Sequence, residues 1–351
     1  MNKHSFLYIL CTFLLVSCGR VETIGLKKHQ FNKRPRRIVW IQVAGLSSEH
    51  LAMLRFKLAD ARQVTPLEKA ECVGQTWSFN LLSLRPSVNQ SFNSQVFGAG
   101  NLKNRCDSLS HTPIWKLYSE ANYSIAAIEN LTKKSESLTQ LKECKEKKKD
   151  KDGKEEDVLK NLNLFVMGKK KNKESKSFHY QEEIALSPDV YYDKACSSGN
   201  CISSLPVNSK KIWEKMVDSS NRSFLLIRDF KYLAALKRRD FESAKENLLQ
   251  LAKLYEYFID SSAKNKDTLV LLSTSNALNF EFPKEGSKWA EFERTGRNVL
   301  YRNTSLISQT YAFGPSSENF CGVYNENEIF TRLIWESEER SLSIESLKEL
   351  F

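Results

Sequence analysis

The chain of 351 residues is 41% hydrophobic and 27% charged, with a formal net charge of +11. That balance excludes a wholly disordered polymer and leaves enough apolar residues for one large core of helices and strands or two modest ones.

Lys3 and His4 precede the apolar run Phe6 to Val16. The run is too short and ends too abruptly to span a bilayer, so residues 1–17 read as a signal peptide. It closes on Leu15-Val16-Ser17-Cys18-Gly19, which resembles a bacterial lipoprotein lipobox. The resemblance implies that Cys18 carries diacylglycerol, becomes the N-terminus and bears further acyl chains such as palmitate, a stable attachment to a membrane. An ordinary secretory signal with an incidental cysteine is the alternative. For such lipoproteins in a Gram-negative cell, Gly19 after the cysteine implies the outer membrane rather than the inner, so the expected location is the cell envelope. Residues 18–35 then form a basic tether, with Lys27, Lys28, Lys33 and Arg34 suited to lie near anionic head groups.

Ile38 to Val43 is a β-rich run stopped by Gly45, and Leu51, Leu54, Leu58 and Ala61 continue it as a helix. Trp77 to Leu84 reads as a second strand, Ile114 to Tyr118 as a helix, and Tyr123 to Ile128 as a third strand. From 131 to 183 the composition turns to lysine-rich runs, and residues 133 to 177 carry over half of the net charge. Such a segment does not repay the entropy of folding, so it is expected to be a mostly disordered insert, with Leu162 to Met167 its only strand-like piece. A connecting segment, 184–222, leads to the strand Ser223 to Ile227. Asp240 then caps a long helix carrying Phe241, Ala244, Leu248, Leu251, Tyr255 and Ile259. Leu269 to Leu272 and Thr310 to Phe313 are buried strands, and a closing helix runs from Ile329 through Trp335. The alternation predicts an α/β fold with a mainly parallel central sheet flanked by helices, in two parts, 36–130 and 223–351.

Cys11 leaves with the signal, and Cys72, Cys106, Cys144, Cys196, Cys201 and Cys321 remain in a compartment that allows disulfides. Cys196 with Cys201 closes a short loop, and Cys72 with Cys106 is a second pairing; spacing does not settle the connectivity. A zinc site from these cysteines is disfavoured, because no CxxC pair or nearby histidine accompanies them.

Several segments resemble the alkaline phosphatases, in order over residues 36 to 337. Asp267 to Asn276 is similar to the strand that ends there in an Asp-His metal pair, but here the pair is Ser275 and Asn276. Asn303-Thr304 through Tyr311-Ala312-Phe313-Gly314-Pro315 and Phe320-Cys321-Gly322-Val323 resembles a His-Thr dipeptide, a strand, a Gly-Pro turn and a Phe-x-Gly-Val segment, with Asn303 at the histidine. Tyr232 to Phe241 resembles a helix whose metal ligands fall on Leu233 and Lys237, and the upstream magnesium-holding glutamate falls on Arg228. Ile38 to Leu46 places Ala44 at the metal-bridging aspartate. The nucleophile segment is matched by Pro86 to Gly98, with Val88 at the serine, Ser87 one residue away, and Asn89 in a looser fit to sulfatases and phosphodiesterases.

The resemblance therefore implies the fold with its chemistry removed, since a hydroxyl and a carboxamide do not replace carboxylate and imidazole on zinc. His50 and His111, the histidines within folded sequence, read as surface and capping residues. The leading expectation is a lipid-anchored, catalytically inactive protein that binds or scaffolds in the envelope, without metal or cofactor. Arg228 and Lys237 then stand as an anion-binding pair in the former metal pocket. One alternative is a divergent phosphatase or phosphodiesterase with zinc and magnesium held by carboxylates such as Asp229, Asp240 and Glu281. Another is an envelope binder of anionic polymer or lipid through the basic insert. Nucleic acid is disfavoured as a partner because the lysines lack interleaved aromatics for stacking.

Overall fold

The computed structural model describes residues 35–55, 64–144, 157–167, 204–295 and 301–334. Cys18, Cys196, Cys201, the signal, and the insert from 145 to 156 and from 168 onward lie outside them. Eight strands form one sheet in the order β10-β2-β9-β6-β1-β5-β3-β4. In chain order these are β1 (Arg37–Ala44), β2 (Cys72–Trp77), β3 (Ser124–Asn130), β4 (Asn163–Met167), β5 (Ser223–Asp229), β6 (Thr268–Ser275), β9 (Ile307–Phe313) and β10 (Gly322–Asn325). The short β7 (Leu278–Phe280) and β8 (Tyr301–Thr304) pair separately. All pairings in the main sheet are parallel except those of β9, which runs against both β2 and β6.

β1 lies at the centre, between β5 and β6, and is buried on both faces. This explains its near-continuous apolar sequence, which carries no polar-apolar alternation. Val39, Ile41 and Val43 face a core formed with α4 (Leu205–Ser219), α5 (Lys231–Lys237) and α6 (Phe241–Asn265). Ile38 and Trp40 face a second core under α2 (Val88–Phe97), α3 (Ile114–Glu120) and α8 (Glu328–Ile334). The short α1 (Leu51–Arg55) and α7 (Trp289–Thr295) complete the helices among the described residues. α6 begins where Asp240 Oδ1 accepts from the Ser243 N–H at 3.1 Å, as its sequence predicts, and ends at Lys266 in the left-handed region. Truncating the fully buried Trp40 to alanine would cost about 3–5 kcal/mol.

Three expectations are corrected. The second strand is Cys72–Trp77, and the stretch to Leu84 leaves the sheet in a tight turn. The turn forms because the Asn80 side chain accepts from the backbone N–H groups of Leu82 and Ser83 and donates to Leu102 O. The first part of the insert is folded: Leu138 and Leu141 are buried, and β4 adds the last strand of the sheet beside β3. The connecting segment contains α4, whose Ile212, Trp213 and Met216 enter the core.

Disulfides join Cys72 to Cys321 and Cys106 to Cys144, so Cys72 does not pair with Cys106. Sequence spacing favours nearby partners, whereas the sheet places β10 directly against β2. Proteolytic mapping of the unreduced chain should recover a peptide pair linking Cys72 with Cys321 and another linking Cys106 with Cys144. Recovery of a Cys72–Cys106 pair would contradict this arrangement of strands.

Candidate functional site

In parallel α/β sheets, ligands bind beyond the carboxyl ends of the strands. Here that edge is formed by Ala44, Asp229 and Ser275, with the starts of α2 and α5 above it. Ala44 lies opposite Ser275 in the β1–β6 register, and the Gly45 N–H donates to Ser275 O at 2.8 Å. Gly45 has a φ of +86°, and a side chain there would meet Leu233, whose Cδ1 lies 2.7 Å from the Cβ position. Leu233 is itself buried. It therefore fills the space beside the end of β1 with hydrocarbon.

Ser275 and Asn276, which the resemblance sets at the metal pair, are absorbed into local structure. Ser275 Oγ donates to Asn276 Oδ1 at 2.6 Å, and Asn276 Nδ2 donates to Pro86 O at 2.7 Å. Asn276 sits in the left-handed region, which asparagine tolerates better than most residues. It ties the end of β6 to the start of α2. There Ser87 is the N-cap, its Oγ accepting from the Gln90 N–H at 3.3 Å, while Val88 is half-buried and Asn89 Nδ2 donates to Ser135 O at 2.7 Å. The backbone of Asn303 lies on β8, and its side chain is outside what the structure describes.

Arg228 is not open to an anion. It is 1% exposed on β5, and its Nη1 lies 2.5 Å from Oε1 of the fully buried Glu129 on β3. Burial draws the guanidinium pKa below its ordinary range, and Glu129 opposes that pull. The rings of Phe92 and Phe230 flank the guanidinium, with its carbon 5.6 and 5.3 Å from their centroids. Glu129 also accepts from Ser137 Oγ at 2.6 Å and from the Leu138 N–H at 3.0 Å. Lys237 is exposed at the last turn of α5, so the proposed anion-binding pair is not assembled.

Sequence reading missed the row to which this ion pair belongs. By strand register, Glu129, Arg228, Gln42, Ser273 and Thr310 stand side by side across five strands. Trp40 Nε1 donates to Ser273 Oγ at 2.8 Å, Ser273 Oγ donates to Gln95 Oε1 at 2.8 Å, and Gln42 Nε2 donates to the same oxygen at 3.0 Å. Glu326 lies beside Ser91 and Gln95, and burial pushes its carboxyl up to about 8. A signal was present in the sequence, because a Gln in β1 and an Arg-Asp pair ending β5 interrupt runs that are otherwise apolar.

His50 is fully buried, contrary to its reading as a surface residue. Its Nε2 donates to Leu278 O at 2.9 Å, which leaves Nδ1 to accept from Tyr232 Oη at 2.8 Å. Burial lowers its pKa to about 3, so the ring is neutral and structural. His111 is a helix-flanking residue, 2.8 Å through Nδ1 from Ser110 Oγ. The three carboxylates of the alternative site are occupied separately. Asp229 accepts from Asn130 Nδ2 at 2.6 Å and from the Tyr232 N–H at 3.0 Å, and burial raises its pKa. Asp240 caps α6, and Glu281 follows β7. Among the described residues no group of three or more His, Cys, Asp or Glu is arranged to hold a metal ion. The donors present do not fit the zinc and magnesium that the resemblance implies.

No protein-family model matches the sequence, and no curated protein matches it. Solved structures with the same fold are nevertheless clear. The alkaline phosphatase of the Antarctic bacterium TAB5 is similar at 12% identity and a TM-score of 0.56, over 86% of this chain and 98% of that one. The cold-active alkaline phosphatase of a psychrophilic Shewanella gives 10% identity and 0.60, over 85% and 98%. That of Thermus thermophilus gives 12% and 0.57, over 91% and 94%. The chain has the alkaline phosphatase fold.

Two measurements check this account of the site. Glu129→Gln leaves Arg228 buried without a counter-charge and should destabilise the fold by about 3–5 kcal/mol in urea unfolding. His50 has a folded pKa depressed to about 3 against an ordinary 6.5, so its contribution is complete above pH 6.5 and is lost as the pH falls toward 3. Wild-type stability should therefore drop over that window, by at most about 1.4 kcal/mol per pH unit from this group, and His50→Gln should flatten the slope.

Proposed function

We propose that this chain is a lipid-anchored, catalytically inactive protein of alkaline phosphatase fold that binds or scaffolds in the cell envelope. The observation that carries the reading is the occupation of the strand edge: Leu233 packs on Gly45, and Ser275 and Asn276 bond to each other and to Pro86. These groups serve packing and backbone satisfaction, and none is an anionic or imidazole donor of the kind that holds a catalytic zinc. At the start of α2, Ser87 is committed to capping the helix and Asn89 to the backbone of Ser135. The buried Arg228–Glu129 pair further supports the reading, because it keeps a fixed positive charge where the enzymes' resemblance implies a magnesium ligand.

The envelope location rests on the lipobox at Leu15 to Gly19 and the basic tether that follows it. Two disulfides in the folded body are in keeping with an oxidising compartment. The partner is an envelope protein or an anionic polymer.

Metal analysis of residues 19–351 after incubation with zinc and magnesium should find less than about one-tenth of an ion per chain. One or two tightly held ions per chain, or turnover of an aryl phosphate, would overturn the inactive reading. Mass analysis of the full chain expressed in a bacterial host should find acylation at Cys18 that Cys18→Ser abolishes.

A further inference from the structure

The end of β2 and the turn after it carry five exposed large apolar side chains, the most exposed of them Leu81. Leu81, Leu82 and Leu84 are 71%, 62% and 63% exposed, and Trp77 and Phe79 at the base of the turn are 40% and 45% exposed. The leucines are held in place. Asn80, itself buried, accepts from the backbone of Leu82 and Ser83 and donates to Leu102 O, while the Leu81 N–H donates to Asn101 Oδ1. The ordering that such a contact requires is therefore already built into the fold.

Cations stand on the segments that adjoin the turn. Arg85 and Lys103 are exposed on either side of the start of α2, where Gln90 Nε2 bonds to Leu102 O and Lys103 O. Lys133 and Lys134 are exposed on the segment that Asn89 holds through Ser135 O. Asp107 accepts from the backbone of Lys103 and Asn104, and Glu136 from that of Thr132 and Lys133.

We infer that this edge of the sheet docks on an anionic lipid bilayer, with the three leucines entering the acyl region and the lysines and arginine facing lipid phosphates. Exposed leucines on an ordered turn suit a medium that deforms around them, and Trp77 at its base suits the membrane interface, where tryptophan is enriched. Charge complementarity with anionic head groups completes the match. No helix among the described residues is long and apolar enough to cross a membrane, so the contact is a surface one. It is separate from acylation of Cys18 and does not depend on it. β1 begins at the opposite edge of the sheet, about 27 Å away along its eight residues.

The test uses the full chain with Leu82→Cys carrying an environment-sensitive fluorophore, corrected for labelling of the unsubstituted chain, on vesicles of phosphatidylethanolamine and phosphatidylglycerol. Emission should shift to the blue and be quenched by lipids spin-labelled in the upper acyl chain. The same label at Asn221→Cys, in the turn before β5 at the opposite edge, should remain in water. Exchanging phosphatidylglycerol for phosphatidylcholine, or Arg85→Glu with Lys103→Glu, should reduce the quenched fraction by about tenfold. A tip label that stays in water on anionic vesicles overturns the inference. So does a blue shift that appears without lipid and grows with protein concentration, which would assign the tip to a second copy. Cys18→Ser separates the two membrane readings: the tip signal should persist while acylation is lost.

Discussion

A guanidinium and a carboxylate stand shoulder to shoulder on neighbouring parallel strands in the centre of this domain, both withdrawn from water. Neither Arg228 nor Glu129 could be buried alone, since an isolated ion in such a place costs several kcal/mol even after relaxation. Together they need further partners, and the surroundings are organised to supply them. The 3-10 turn at Ser137 and Leu138 is folded back against β3 to fill the remaining acceptor positions of Glu129, and the rings of Phe92 and Phe230 close over Arg228. The first part of the lysine-rich insert is thus fixed by a charge in the sheet. The position of α2 is set by the same polar row, through Gln95 and its bonds to Gln42 and Ser273.

The strand edge is held by one internal ion pair, by hydrocarbon at Leu233 and by short-range amide bonds at Asn276. Two buried ionisable groups pull in opposite directions with pH. His50 contributes stability that fades as the pH falls below 6.5. Glu326, raised to about 8 from an ordinary 4.5, contributes stability that is complete below 4.5 and is lost as the pH rises through 8. Between pH 4.5 and 6.5 the two contributions therefore oppose one another.

Much of the architecture was legible in the sequence for one reason. Central parallel strands are buried on both faces and read as apolar runs, so β1, β3, β5 and β6 were visible, as was α6 with its Asp240 cap. The second strand was not. β2 is buried on one face only, its alternate residues Val73, Gln75 and Trp77 are exposed, and the run Trp77 to Leu84 looks more strand-like than the true strand does. The Asn80 turn that breaks it depends on a tertiary bond to Leu102 O that no local pattern announces. At the site, Ala44, Leu233, Ser275 and Asn276 were singled out through the resemblance, but their partners were not legible. Glu129 pairs with a residue 99 positions away, and the His50 ring is buried by Leu278 and Tyr232 although Glu49 beside it suggests a surface helix.

The Cys72–Cys321 bridge joins residues 249 apart, and the Trp40–Ser273 bond spans 233. Both follow from a sheet in which β1 and β2 each wait for neighbours made much later in the chain. A polypeptide emerging from its N-terminus therefore presents a bare apolar strand and an unpaired thiol through most of its synthesis. Cys106 is made long before Cys321, so a Cys72–Cys106 contact is available first. The native bridge of Cys72 has to wait for β10, the last strand of the sheet to be made.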